Sequence, residues 1–322
     1  MKKIAMGLLI IIFLGAFMVG CVEKEDIKET TKIKAAEEKD KNQVSEKVFD
    51  EFTKVLETKN ALQTKEFILD NIQDVTEEIA DKMVLEYELL LDSNFKDLMK
   101  KYNSDTYFNA VNETMDKEHN LYLEKIKDEN IKEEVMNTLA SGYTFEMLEG
   151  SYYLTIDYAM INDTFSKYLS ENLKPYYELR KKDFEEPTFV EEYVSIDFEE
   201  IKNRVVTLEK VIRDNKELAN RADIKDFMKW HIQALLAVDY FNNFVDYETG
   251  EVREIVKSTY EELKASDLKI AKYAAEEMDK LLSEFQYVLK QDDEEAYKKV
   301  NSLKFKIADE VSKKIEEYYS VK

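Results

Sequence analysis

The chain has 322 residues, 47 of them basic and 69 acidic, for a formal net charge of −22 at pH 7. Nucleic-acid binding depends on Lys and Arg neutralising phosphates, so an acidic chain is not expected to do it. One cysteine leaves no disulfide within the chain, and six glycines with two prolines are too few for the many tight turns of a parallel α/β fold or a β-sandwich.

Met1-Lys2-Lys3 opens the chain, and Ile4 to Val19 follows as sixteen residues without a charge. A membrane-spanning helix needs about 20 apolar residues, so the run suits a secretory hydrophobic region better. The two lysines fit the cytoplasmic side of such a segment. Met18-Val19-Gly20-Cys21 resembles the lipobox of bacterial lipoproteins, with Met18 where leucine is usual. That resemblance implies a signal peptide over 1–20, cut between Gly20 and Cys21. It further implies a diacylglyceryl group on the Cys21 sulfur, and fatty acids such as palmitate holding the protein on the extracytoplasmic face of the cell membrane. Each buried methylene adds about 0.8 kcal/mol, and two chains hold where one releases. An uncleaved N-terminal membrane helix with an incidental cysteine is the alternative.

Residues 21–44 read as the lipidated N-terminus and a charged tether. Val22 to Val44 holds seven acids and six lysines with few apolar residues. As a disordered segment or a frayed helix, it lifts the folded part roughly 25–35 Å off the membrane.

Residues 45–184 form an expected N-terminal helical domain. Phe52, Val55 and Leu56 line a first helix. Thr64 is placed as the cap of a short helix ending at Asn71. Thr76 caps the next, with Ile79, Met83, Tyr87 and Leu90 as its stripe, and Asp92-Ser93-Asn94 as a break. Ser104 or Asp105 starts another, carrying Phe108, Val111, Met115, Tyr122 and Ile126 inward. A shorter helix ends at Ser141-Gly142, where glycine adopts the left-handed conformation. Tyr143 to Ile156, aromatic and β-branched around Glu149-Gly150, predicts one β-hairpin. Helix resumes after Asp157 and runs to about Phe184, kinked or divided at Pro175.

Residues 185–196 read as an acidic linker, because Asp183 to Glu200 holds eight acids and no base. Residues 197–322 form a C-terminal bundle. Asp197 and Glu200 have capping-box-like spacing. Phe198, Ile201, Val205, Leu208 and Ile212 recur three and four apart. The same holds from Ile224 through Met228, His231 and Leu235 to Val238, and from Leu268 through Met278 to Leu289. The last helix, about Asp293 to Tyr319, carries Val300, Leu303, Ile307, Val311 and Ile315. This coiled-coil-like seam packs antiparallel helices at about 20°. The fold class is therefore predominantly all-α, with four or five helices bundled in the second half.

No catalytic constellation stands out. There is no Gly-x-Ser-x-Gly elbow, no glycine-rich phosphate loop and no His-Glu-x-x-His. Paired carboxylates are inevitable among 69 acids. Asp116 precedes His119 by three, and His231 sits on an apolar stripe where a packed histidine is the simpler reading. No cofactor or metal site is expected. The Asp183–Glu200 run suits calcium or a basic partner, and Gln291 to Glu295 a cation, but a solvated linker and acids at a helix N-terminus are the simpler readings. Glu149, Tyr152, Tyr153, Asp157 and Tyr158 are the candidate ligand-binding residues, since aromatic faces with carboxylates hold sugars, amines or peptides. Tyrosines sealing the hairpin onto the helices explain the same residues. The expected function is that of a non-enzymatic, surface-exposed binding or scaffolding lipoprotein of the cell envelope, with a partner protein or an envelope component as ligand. A small-molecule or metal-ion receptor using the hairpin or a bundle pocket is the alternative.

Overall fold

The structure, a computed structural model, describes residues 24–116, 120–148, 151–191, 193–238, 244–290 and 292–320, with side chains from residue 41 onward except that of Leu148. The fold is predominantly all-α, with thirteen α-helices and two small antiparallel β-ribbons among the described residues. Gly20, Cys21, His119 and Glu149 lie outside them.

Helix α1 (Lys24–Glu57) is continuous through the segment read as a tether. That segment has no glycine or proline and places opposite charges three or four apart, as with Glu37 and Lys41, a spacing that supports helix. Its C-terminal part buries Phe52 and packs on α2 (Ala61–Asn71) and α3 (Glu77–Tyr102). Buried Ser45 fixes it there by accepting from the Thr76 backbone N–H at 2.9 Å.

Three expectations about helix ends are corrected. Asn60, not Thr64, caps α2, accepting from the Gln63 N–H at 3.1 Å. Thr64 lies inside the helix and donates to the Asn60 carbonyl. Helix α3 does not break at Asp92-Ser93-Asn94. Ser93 donates to the Leu90 carbonyl and Asn94 to the Lys59 carbonyl, so these polar side chains find partners without ending the helix.

Helix α4 (Asp105–Asn112) stops well short of Ile126. Asp116 accepts from the Asn120 N–H and the Tyr122 hydroxyl, which folds the chain back and pairs Met115 with Leu121. Helix α5 (Glu129–Ala140) is capped by Asp128 and ends at Gly142, with φ +101°. A Cβ at Gly142 would lie 2.4 Å from the Tyr87 hydroxyl, so glycine is required by both backbone and space.

The expected hairpin is present. Strands β1 (Tyr143–Leu148) and β2 (Ser151–Ile156) pair antiparallel, from Tyr143 with Ile156 to Leu148 with Ser151. Tyr143, Phe145, Tyr152, Leu154 and Ile156 face the helices and are buried, while Tyr153 on the alternate face is exposed. Helix α6 (Tyr158–Phe165) and helix α7 (Lys174–Glu185) divide where Pro175 occupies the first turn of α7, a position that tolerates proline.

The acidic linker is folded. Strands β3 (Phe189–Val190) and β4 (Tyr193–Val194) pair as a short antiparallel ribbon. Helix α8 (Phe198–Asp214) follows, N-capped by Asp197. A short α9 (Lys216–Asn220) leads to α10 (Ala222–Leu235), α11 (Glu254–Ala265), α12 (Lys269–Glu284) and α13 (Glu294–Tyr318). Helix α10 packs on α8 and α13, and α12 packs on α11 and α13. Glu294 and Glu295 occupy the first turn of α13, where the helix dipole favours acids, and Asp293 caps it.

Buried Glu209 of α8 reaches the start of α12, where Leu268 has no side-chain acceptor to offer. Its carboxylate accepts from the Ile270 and Ala271 N–H groups at 2.7 and 2.8 Å and from the Tyr319 hydroxyl at 2.6 Å. One apolar core runs through both halves, across the α7–α8 contact.

Candidate functional site

Among the described residues, the hairpin candidates do not converge. Tyr152 is buried and donates to the Tyr102 carbonyl at 2.8 Å. Tyr153 points to solvent on the opposite face. Asp157 caps α6, accepting from the Met160 N–H. Tyr158 turns inward and joins a buried cluster around Glu88. Three residues singled out as ligand contacts therefore hold the fold together.

Glu88 of α3 receives the hydroxyls of Tyr158 and Tyr176 on Oε1, at 3.1 and 2.6 Å. On Oε2 it receives the Tyr177 hydroxyl at 3.2 Å and Arg221 Nη1 at 2.9 Å. Arg221 also grips Asp223 with two hydrogen bonds, and Arg180 lies over the Tyr158 and Phe227 rings at 3.9 and 4.4 Å. Burial pushes the three phenols above their ordinary range, so they donate. Burial pulls Arg221 down, but Glu88 and Asp223 outweigh it and keep its charge secure. The Glu88 oxygens are taken up by the protein's own donors, which makes the cluster a tie between the two halves.

A second buried network lies under the β3–β4 ribbon. Arg204 of α8, 1 % exposed, donates to Asp183 at 2.9 Å, to the Glu186 carbonyl at 2.8 Å, to Thr188 at 3.1 Å and to Glu200 at 2.8 Å. Thr188 donates its hydroxyl to Asp183 at 2.6 Å and sits 3.3 Å from His231 Nε2. His231 Nδ1 donates to the Phe227 carbonyl at 2.8 Å. Burial lowers the His231 pKa, against an opposing pull from Asp183. Hydroxyl, imidazole and carboxylate are all present, but they are not connected as a nucleophilic triad. Asp183 accepts the Thr188 hydroxyl's hydrogen bond directly, and the far imidazole nitrogen is held by a backbone carbonyl.

What this network positions is a surface. Directly paired Val190 and Tyr193 share the outward face of the ribbon, 44 % and 55 % exposed. On the inner face Val194 is buried and Phe189 meets Trp230 edge-on, ring centres 5.6 Å apart. Trp230, the chain's one tryptophan, is 56 % exposed on α10. Glu191 holds the turn with φ +55°, a left-handed conformation that costs a non-glycine residue roughly 1 kcal/mol. Beside the ribbon lies a cleft of about 510 Å³, with Pro187, Val190 and Ile196 contributing apolar wall and Glu186, Asp197 and Glu200 contributing carboxylates. Val190 thus joins an exposed apolar face of the ribbon to an acid-edged cleft.

Sequence reasoning missed this surface. Its signals were Phe189-Val190 and Tyr193-Val194 on either side of Glu191-Glu192 in the sequence, and Trp230 standing off the Ile224, Met228, His231, Leu235 stripe. A second, more polar cleft of about 450 Å³ lies between the α1–α2 connection, α3 and α5. Lys101, Glu134 and Tyr107 are bonded together at its edge.

No protein-family model matches the chain, and comparisons with curated proteins and with solved structures found no match. Among the described residues no group of three or more His, Cys, Asp or Glu is placed to hold a metal, and no helix is long and apolar enough to cross a membrane.

Proposed function

We propose that this protein is a lipid-anchored, non-enzymatic binding or scaffolding component of the bacterial cell envelope. Diacylglyceryl-modified Cys21 holds it on the extracytoplasmic face, and the β3–β4 ribbon with Trp230 is the surface it offers to a partner protein. The observation that carries the reading is the exposed Val190 and Tyr193 pair on the outer face of the ribbon, which stands on the buried Arg204 network. Exposed apolar side chains on a rigid support are a disposition for association, since binding then orders little further chain. The localisation rests on the uncharged Ile4–Val19 segment before Gly20-Cys21, and the acidic composition leaves anchoring to the lipid.

The test places a photo-crosslinking side chain at position 193 in the full-length protein, expressed in a bacterium that processes lipoproteins. Position 69 serves as a control, because Leu69 is also exposed but lies on α2. A discrete crosslinked partner from 193 and none from 69 supports the reading. Equal or absent crosslinking at both positions overturns the surface assignment. Cys21→Ser should release the protein into the medium or leave an unprocessed precursor. Processed, membrane-bound Cys21→Ser protein overturns the anchor.

The 450 Å³ cleft favours a second reading, a receptor for a small polar molecule. A ligand in excess over its Kd raises Tm, so a thermal-shift screen of sugars, amines and divalent ions tests it. No shift across the panel ends that reading.

A further inference from the structure

We infer that the ribbon surface receives a cationic, partly apolar peptide segment, in which lysines or arginines alternate with bulky apolar side chains. The inference rests on the ribbon being the binding surface and adds the chemistry of what it binds.

Two kinds of surface adjoin there. Val190 and Tyr193 on the outer face of the ribbon offer contact to apolar groups and, through the Tyr193 ring, to cations. The neighbouring cleft joins apolar Pro187 and Ile196 to the carboxylates of Glu186 and Asp197. Long basic side chains need that combination, an apolar track for the methylenes and an anion for the head.

The charge balance points the same way. Residues 183–200 carry eight acids and no base. The nearby cations are engaged: Arg204 is buried against Asp183 and Glu200, and Lys182 pairs with Glu200 at 2.6 Å. Glu186 is exposed, with Arg204 Nη2 its closest cation at 3.9 Å, and Glu191 is exposed at the turn. The resulting field repels nucleic acids and anionic lipid. It also repels a second copy of this chain, which would bring the same acids to the contact. A cationic peptide gains from the field.

Trp230 is the chain's one tryptophan and packs against Phe189 of the ribbon, so its emission reports on the ribbon. The probes are a synthetic peptide alternating lysine with leucine, the same peptide with glutamate for lysine, and oligolysine. The lysine–leucine peptide should change Trp230 emission saturably, and added salt should weaken binding. Tyr193→Ala and the double variant Glu186→Gln/Glu191→Gln should each raise Kd by about tenfold or more with Tm unchanged. The glutamate peptide should not bind, and oligolysine should bind more weakly. Undiminished binding by the variants, or equal binding of oligolysine, overturns the inference. If position 193 crosslinks a partner while the lysine–leucine peptide fails, the cationic chemistry is wrong and the surface stands. If the peptide binds as expected while 193 crosslinks nothing, the partner-binding role falls and the site chemistry stands.

Discussion

Arg221 Nη1 donates to Glu88 Oε2 at 2.9 Å across 133 residues of sequence, and both side chains are almost fully buried. Taking one partner away leaves the other charged and enclosed, which costs about 3–5 kcal/mol. Glu88→Ala and Arg221→Ala should therefore each destabilise by that amount in chemical denaturation. The double variant should lose clearly less than the sum. Because the pair joins the two halves, the wild-type protein should unfold in one transition. Additive losses, or two wild-type transitions, would show that the pair does not couple the halves.

His231 gives a pH dependence whose sign follows from its burial. Its folded pKa lies below the ordinary 6.5, with burial the main cause, Asp183 opposing, and Arg204 and Arg180 reinforcing. As pH falls below about 6.5, the unfolded chain takes up this proton before the folded one does. Stability is then lost with decreasing pH, by at most about 1.4 kcal/mol per pH unit. His231→Asn should flatten the fall in Tm between pH 7 and pH 5 relative to wild type. Parallel Tm profiles would mean that His231 does not contribute.

Gly142→Ala should cost more than about 1 kcal/mol, because alanine is strained at φ +101° and its Cβ meets the Tyr87 hydroxyl. Adding Tyr87→Phe relieves the steric contact but removes the 2.6 Å bond to the Ser141 carbonyl and leaves the backbone strain. Full rescue by the second substitution would show that the backbone demand is absent. Urea denaturation of the two variants separates these outcomes.

Glu209→Ala should strip two buried N–H groups at the start of α12 and the Tyr319 hydroxyl of their acceptor, at a cost of about 1–3 kcal/mol. Amide hydrogen exchange should quicken first at Ile270 and Ala271. Unchanged protection there would exclude Glu209 as the cap of α12.

The parts of the fold that could be read along the chain are those whose cause is local. The stripes of α8, α10, α12 and α13 repeat three and four apart because each helix buries one face. Thr76 and Asp197 are recognisable caps, and the hairpin is marked by β-formers around Glu149-Gly150. What stayed hidden depends on distant partners. Asn94 looks like a helix breaker until its bond to the Lys59 carbonyl is known. Nothing in 69 acids distinguishes Glu88 and Glu209, since their donors come from far along the chain. The candidate site suffered in both directions. Tyr152 and Tyr158 carry groups suited to ligands, yet burial gives them a structural use, and the four strand residues of the ribbon lie hidden among eight acids.

The continuity of α1 gives the proposed anchor a geometric meaning. A flexible coil over residues 24–44 would let the body wander, with a root-mean-square reach of about 25 Å and frequent collapse onto the bilayer. A helix at 1.5 Å per residue makes the same stretch a rod of about 30 Å. The Ser45–Thr76 bond clamps the rod where it meets the body. A protein held this way samples a thin shell of fixed radius around its attachment point. Partners lying at that height are met repeatedly, and those nearer or farther are missed.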